Sequence, residues 1–256
     1  MRGSRGALAA MLVAGTMLAG AGTASAAKIT IKPSNDEQLF GSAGISIGGK
    51  LTPDSGTAPE GHEVTLTEKR YPYKRARKVG SATTVKNGKY RFRGIKPQFN
   101  TRYQVSVSAP GAAARSKSEL VVVFPRSFLD ARVPRPDHVS ATFGLTYSAE
   151  LPLDLSGNKV LWYFVKKGNK TFKVIDKSRA KQRGGRVRAR TEFDIPHGTY
   201  RFFVSACVAV PDRRDIGIGH PGTDNDCPRK FPARTGRVAR ASTGALPLPI
   251  ATPGPR

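Results

Sequence analysis

Between residues 45 and 124 apolar positions recur at every second residue in short runs. These are Ile45-Ser46-Ile47, Val64-Thr65-Leu66, Tyr90-Arg91-Phe92 and Tyr103-Gln104-Val105-Ser106-Val107, followed by an apolar run from Leu120 to Phe124. A period of two puts successive side chains on opposite faces of an extended chain, so each run predicts a strand with one buried and one wet face. The breaks carry turn residues: Pro53-Asp54-Ser55-Gly56, Asn87-Gly88 and Lys96-Pro97. Asn-Gly between two alternating segments predicts a hairpin, because both residues tolerate positive φ. Beyond the first 26 residues no stretch combines helix caps with a 3.6-residue period.

The pattern comes twice. Gly61-His62-Glu63-Val64 returns 96 residues later as Gly157-Asn158-Lys159-Val160, and the segment Thr101–Ala109 is echoed by Gly198–Ala206. Upstream, Ile45, Ile47 and Leu51 pair with Leu145, Tyr147 and Leu151. Matched signals in one order at a nearly constant offset predict two copies of one domain. About seven short strands in about 100 residues is the arithmetic of a β-sandwich.

Gly88-Lys89-Tyr90-Arg91-Phe92 together with Thr101-Arg102-Tyr103-Gln104-Val105 resembles the bacterial Ig-like and fibronectin-III-like modules of secreted proteins. The resemblance implies that Tyr103 and Tyr200 pack near a strand corner with the hydroxyl returning to the backbone. It also implies that Trp162 is a core aromatic. Similar spacings occur in carboxypeptidase-regulatory and transthyretin-like sandwiches, which leaves the topology open. The expected fold class is therefore all-β, two tandem immunoglobulin-like antiparallel sandwiches after an N-terminal signal peptide. The expected boundaries are 1–26 for the signal peptide, 28–124 for the first sandwich and 125–138 for a linker, then 139–238 for the second sandwich and 239–256 for a disordered Pro-rich tail.

The signal peptide is read from Arg2 and Arg5, the uncharged stretch Ala7–Gly22 and the small-residue site Ala24-Ser25-Ala26. The apolar run is shorter and weaker than a membrane span requires, so cleavage before Ala27 is expected rather than anchoring. This address changes the meaning of the charge. The whole chain carries 43 Lys and Arg against 18 Asp and Glu, and without Arg2 and Arg5 the remainder is still formally +23. Such an excess favours an anionic partner. Nucleic acid would lead inside a cell, but outside it an anionic cell-envelope polymer or another extracellular protein takes that place. Cys207 and Cys227 are the only cysteines, and an even count in an oxidising compartment predicts one disulfide closing a loop of about 20 residues.

Catalytic spellings fail on context. Gly44-Ile45-Ser46-Ile47-Gly48 has the letters of a nucleophile elbow, but Gly48-Gly49-Lys50-Leu51 continues a strand where a helix is needed. The same stretch ends Gly49-Lys50-Leu51, without the Ser or Thr of a phosphate-binding loop. No metal site, cofactor or catalytic residue is assigned, and the chain is expected not to be an enzyme. A cryptic secreted hydrolase remains the least favoured alternative.

Three segments are candidates for binding. Arg183, Arg186, Arg188 and Arg190 belong to a basic stretch that starts at Lys177, and the last three alternate with Val187 and Ala189. On a strand those three share one face about 7 Å apart, as forked donors for phosphate or carboxylate oxygens or as a solvated outer surface. Lys74, Arg75 and Arg77 fall in a second basic run that interleaves Tyr71 and Tyr73, either a saccharide surface or a hairpin tip. Residues 211–226, between the cysteines, form a long loop with Asp212, Asp215 and Asp224 among its acids. It is the alternative site, for protein–protein adhesion or inhibition.

Overall fold

The computed structural model describes residues 26–135, 138–166, 173–194, 201–209, 215–219, 240–242 and 246–247. They contain no helix, and their strands assemble into four sheets, an all-β sandwich architecture. Ten strands precede residue 125: β1 (Lys28–Ile29), β2 (Lys32–Pro33), β3 (Glu37–Leu39), β4 (Ile45–Thr52), β5 (Glu63–Arg70), β6 (Ala76–Thr83), β7 (Lys89–Ile95), β8 (Thr101–Val107), β9 (Ala114–Arg115) and β10 (Glu119–Phe124). One sheet is ordered β1-β4-β2 with β7 also on β4, and the other is β3-β10-β8-β5-β6 with β9 also on β8. Alternation does the rest. Ile45, Ile47 and Leu51 from β4, Tyr90 and Phe92 from β7, Val64 and Leu66 from β5, and Tyr103, Val105 and Val107 from β8 meet in one core between these sheets. Each such side chain contributes about 1.5–3 kcal/mol of burial.

Nine strands follow: β11 (Arg126–Arg135), β12 (His138–Thr146), β13 (Lys159–Lys166), β14 (Lys173–Arg179), β15 (Lys181–Arg183), β16 (Arg186–Asp194), β17 (Arg201–Val208), β18 (Arg240–Ser242) and β19 (Leu246–Pro247). They form the sheets β11-β12-β16-β15 and β14-β13-β17-β18, with β19 also on β17. Their core gathers Val139, Phe143, Leu145, Val160, Trp162, Val187 and Val204. Trp162 is fully buried, meets Phe143 edge-on at 6.4 Å, and donates Nε1–H to Ser178 Oγ at 2.7 Å. The polar end of a buried indole is thereby satisfied.

The repeat survives as strand order. β5 lies between β6 and β8 as β13 lies between β14 and β17, while β4–β7 and β12–β16 pair in the facing sheets. Residue for residue it slips: Ile45 opens β4, but Leu145 is the penultimate residue of β12, and Tyr147 and Leu151 lie beyond that strand.

Four expectations are corrected. Asn87-Gly88 does not close a hairpin between β6 and β7, since β6 pairs with β5 and β7 with β4. Gly88 does take φ 75°, and its N–H donates to Val85 O at 2.7 Å, so the turn is real but carries the chain across the sandwich. Residues 126–135, expected within a linker, are β11, whose partner β12 gives its backbone a ladder. Within the expected disordered tail, 240–242 and 246–247 pair with β17. The Tyr103 hydroxyl does not return to the backbone; it is buried beside the Thr101 hydroxyl and makes no backbone hydrogen bond. Tyr200 lies outside the described residues.

The described part of the 211–226 loop fills the junction between the two pairs of sheets. Asn100 N–H donates to Gly217 O at 2.7 Å and Gly219 N–H to Val123 O at 2.9 Å. Asn100 Nδ2 donates to Gly219 O at 2.8 Å and to Asp215 Oδ1 at 3.1 Å, while its Oδ1 accepts from Val123 N–H at 2.9 Å. Gly217 has φ 84°, and a Cβ there would stand 2.5 Å from Leu151 Cδ1 and 2.7 Å from Tyr71 Cδ1. Only glycine suits both the conformation and the space. Ile218 and Phe99 are buried in the same cluster.

Candidate anion-binding face

β16 alternates as its sequence requires: Val187, Ala189 and Thr191 are buried, and Arg186, Arg188 and Arg190 are exposed on the opposite face. Register extends that face sideways. Arg186 lies opposite Arg183 of β15 and Thr146 of β12; Arg188 lies opposite Lys181 and Gly144; Arg190 lies opposite Thr142. The Gly184-Gly185 turn, with Gly184 at φ 55°, folds β15 back so that like charges stand directly across from each other. Such pairs cost roughly 0.2–1 kcal/mol each. None of Lys181, Arg183, Arg186, Arg188 or Arg190 makes an ion pair among the described residues, and Arg190 makes a 3.4 Å contact with Thr142 Oγ1.

The next strand adds an aromatic that periodicity did not single out. Gly144 of β12 faces Phe128 of β11, and a Cβ on Gly144 would fall 2.1 Å from Phe128 Cε1. The bare glycine lets the ring lie on the sheet, where it stays 44% exposed. Arg126, one row further, is tethered, donating Nε–H to Phe40 O at 2.7 Å and Nη2–H to Gly41 O at 3.1 Å. Lys177 and Arg179, from the same basic stretch, belong to β14 in the other sheet and do not join this face. At its far end the face turns acidic: His138 Nδ1 meets Asp194 Oδ1 at 2.8 Å, with Glu192 beside it.

The second basic run is divided. Lys74 and Arg75 stand exposed at the β5–β6 connection with no ion pair among the described residues. Arg77 is committed, its Nε 2.7 Å from Glu68 Oε1, an oxygen that also receives Arg70 Nε at 2.8 Å. Tyr71 and Tyr73 are not offered as stacking platforms. Tyr71 packs on the second core, and Tyr73 donates its hydroxyl to Asp215 Oδ2 at 2.5 Å with the Arg102 guanidinium 5.1 Å from its ring centre. Burial, then the Asp215 bond and charge, push the Tyr73 hydroxyl well above the ordinary tyrosine range against the opposing Arg102. The connection is therefore fastened to the 215–219 segment rather than a free tip.

Ser46 lies within β4, its N–H held by Ser34 Oγ at 3.0 Å, and the strand continues through Gly48 and Gly49. His62 Nε2 lies 2.7 Å from Ala58 O, while His197 and His220 fall outside the described residues. Among the described residues no three His, Cys, Asp or Glu side chains gather as metal ligands. Cys207 is buried on β17 opposite Leu161; Cys227 lies outside the described residues, as do the signal segment 1–25 and residues 220–226 of the loop.

One group escaped the pattern reading altogether. On β5 the inward series Val64, Leu66 continues to Glu68, which is 5% exposed and faces Arg77 on one side and Tyr103 on the other. The signal was present, since Glu68 stands where alternation calls for an apolar residue.

No protein-family model matches the chain, and no curated protein matches it. Among solved structures it is similar to a red sea bream transglutaminase at a TM-score of 0.34 and 13% identity, over 70% of this chain and 29% of that one. The chain thus spans under a third of that enzyme's length, and a likeness at this level carries no argument about function.

Proposed function

We propose that the chain is a secreted, non-enzymatic binding or structural protein that associates with an anionic extracellular polymer of the cell-wall class through the outer face of β15 and β16. The observation that carries this reading is the pair of like-charge register positions, Arg183 opposite Arg186 and Lys181 opposite Arg188, with no ion pair to any of the four among the described residues. A chain seldom keeps such contacts where nothing neutralises them, and local rules are broken most often at functional sites. A flat, repeating array of guanidinium groups about 7 Å apart suits a repeating anion better than a single compact one. Phe128, resting on Gly144 beside Arg188, adds an apolar plate on which a sugar ring can lie.

Kinship with Ig-like modules belongs to the same proposal. It is supported by the parallel pairing of β3 with β10, the strand neighbours around β5 and β13, and the buried Trp162 on β13. Export and the Cys207–Cys227 bridge are likewise proposed, from the N-terminal pattern and the cysteine count. The alternative, adhesion through the 211–226 loop, is weakened because Gly217, Ile218 and Gly219 are buried in the junction between the two pairs of sheets.

The test is retention on purified cell wall at rising salt. Near 0.5 M the Debye length is about 4 Å, so release by that concentration is expected of a charge-driven contact. Changing Arg186, Arg188 and Arg190 together to Ser should weaken retention at least tenfold at low salt while leaving the melting curve in place. Retention indifferent to salt and to these substitutions rejects the reading.

A further inference from the structure

The polar row on β5 lines a cleft of about 360 Å3 at the open seam of the first sandwich, where edge strand β6 approaches edge strand β7. That volume is at the lower end of small-molecule sites. Val79, Gly94 and Ile95 supply its apolar wall, and Glu68, Arg70, Arg77, Lys78, Lys96 and Tyr103 supply the rest. Apart from Thr101 on β8, the inner faces of β5 and β8 are otherwise apolar, so a charged row is not what a sandwich core requires.

We propose that this cleft binds an oxyanion, a phosphate or carboxylate group on a small molecule, independently of the basic face on β15 and β16. Charge points that way. Arg70, Arg77, Lys78 and Lys96 line the cleft with the single carboxylate of Glu68; Lys78 also pairs with Glu63 and Arg70 with Glu150, so four cations meet three acids, and Glu68 is already satisfied by two guanidinium groups through a single oxygen, Oε1. Because Arg77 uses Nε for Glu68, its terminal nitrogens form no ion pair among the described residues. Glu68 thus holds Arg77 in place as a donor rather than cancelling it as a charge.

The second sign is Tyr103. It is fully buried, lines the cleft, and its hydroxyl makes no hydrogen bond of ordinary geometry; the Thr101 hydroxyl beside it already donates to Phe99 O. A buried hydroxyl without a well-aligned acceptor is costly, and an acceptor entering the cleft would remove that penalty. Burial first, and the Glu68 charge second, keep this phenol protonated far into alkaline pH, so it can donate but not repel. Guanidinium and phenol donors converge on a site with surplus positive charge, and an oxyanion meets both conditions.

The experiment is calorimetric titration of the full chain with inorganic phosphate and, separately, acetate at fixed ionic strength. Saturable binding of at least one is expected, and the stronger of the two identifies the class of group. Tyr103→Phe removes an oxygen that makes no well-aligned hydrogen bond, so it should fold about as stably as the parent yet bind about tenfold more weakly, the equivalent of 1.4 kcal/mol. Arg77→Gln should weaken binding at least as much. The triple Arg186, Arg188, Arg190 to Ser variant should bind the ion unchanged, which separates this site from the polymer face. Absence of saturable binding, or unchanged affinity in both Tyr103→Phe and Arg77→Gln, overturns the proposal.

Discussion

Replacing Asp215 with Ala removes the acceptor that fastens residues 215–219 to the first pair of sheets. Three hydrogen bonds go with it: Tyr73 O–H to Oδ2 at 2.5 Å, Asn100 Nδ2–H to Oδ1 at 3.1 Å and Gly217 N–H to Oδ1 at 2.8 Å. Hydrogen bonds to a charged group are worth up to about 3 kcal/mol each; for a carboxylate that is only partly buried, as Asp215 is, about 1 kcal/mol each is the better figure, giving a loss of about 3 kcal/mol. In a chain of this size 1 kcal/mol moves the midpoint by about 2–4 °C, so a fall of about 6–12 °C is expected by calorimetry. Tyr73→Phe should cost only about 1 kcal/mol, and the double variant should show a coupling of about the same size. Ultraviolet titration adds an independent readout, since removing Asp215 should bring the Tyr73 ionisation back toward the ordinary tyrosine value. A melting point for Asp215→Ala within 1 °C of the parent, with no coupling to Tyr73, refutes the fastening.

Other outcomes follow from the packing. Gly49→Ala would drive a Cβ to 2.0 Å from Thr30 O and 2.5 Å from the Tyr90 hydroxyl, so it should destabilise by about 3 kcal/mol or more in urea unfolding, whereas Gly80→Ala, with open space, should be neutral within about 0.5 kcal/mol. Trp162→Phe leaves Ser178 Oγ without its 2.7 Å donor and opens a void beside Phe143, and should cost about 2–4 kcal/mol by the same measure. Tyr73, Tyr90, Tyr103 and Tyr147 all ionise above their ordinary value of 10.0 because of burial, Tyr147 near about 12. A raised folded-state value makes the folded chain hold these protons more tightly, so stability is intact below pH 10 and falls as pH rises from there toward 12. Melting points that stay flat from pH 9 to 12 contradict this.

Alternation made the core legible because a sheet with one wet face repeats at two: Ile47, Val64, Tyr103 and Val187 are all buried where the pattern puts them. The exposed placement of Arg186, Arg188 and Arg190 follows from the same rule. Partner choice was not legible. Asn87-Gly88 specifies a turn but not which strands it joins, and strand β11 lacked a turn signal to separate it from a linker. Lys177 and Arg179 looked continuous with the stripe, yet buried Ala180 marks where the chain crosses between sheets. The face itself depends on register across β11, β12, β15 and β16, which brings Phe128 within two strands of Arg188 although they are 60 positions apart in the chain. Long-range register of this kind has no local signature. The Glu68 row was legible only as a violation, one acid in an inward series.

The bond between Asn100 and Gly219 spans 119 residues, and it orders events during synthesis. A ribosome that has made the whole first sandwich has not yet made the strap that covers Phe99 and Asn100. The first half must therefore wait, with an amide and an aromatic ring uncovered, until about the final sixth of the chain arrives. Contacts this distant are slow to form, and a product terminated before residue 215 would keep that sticky end for good, an invitation to chaperones or to its own copies.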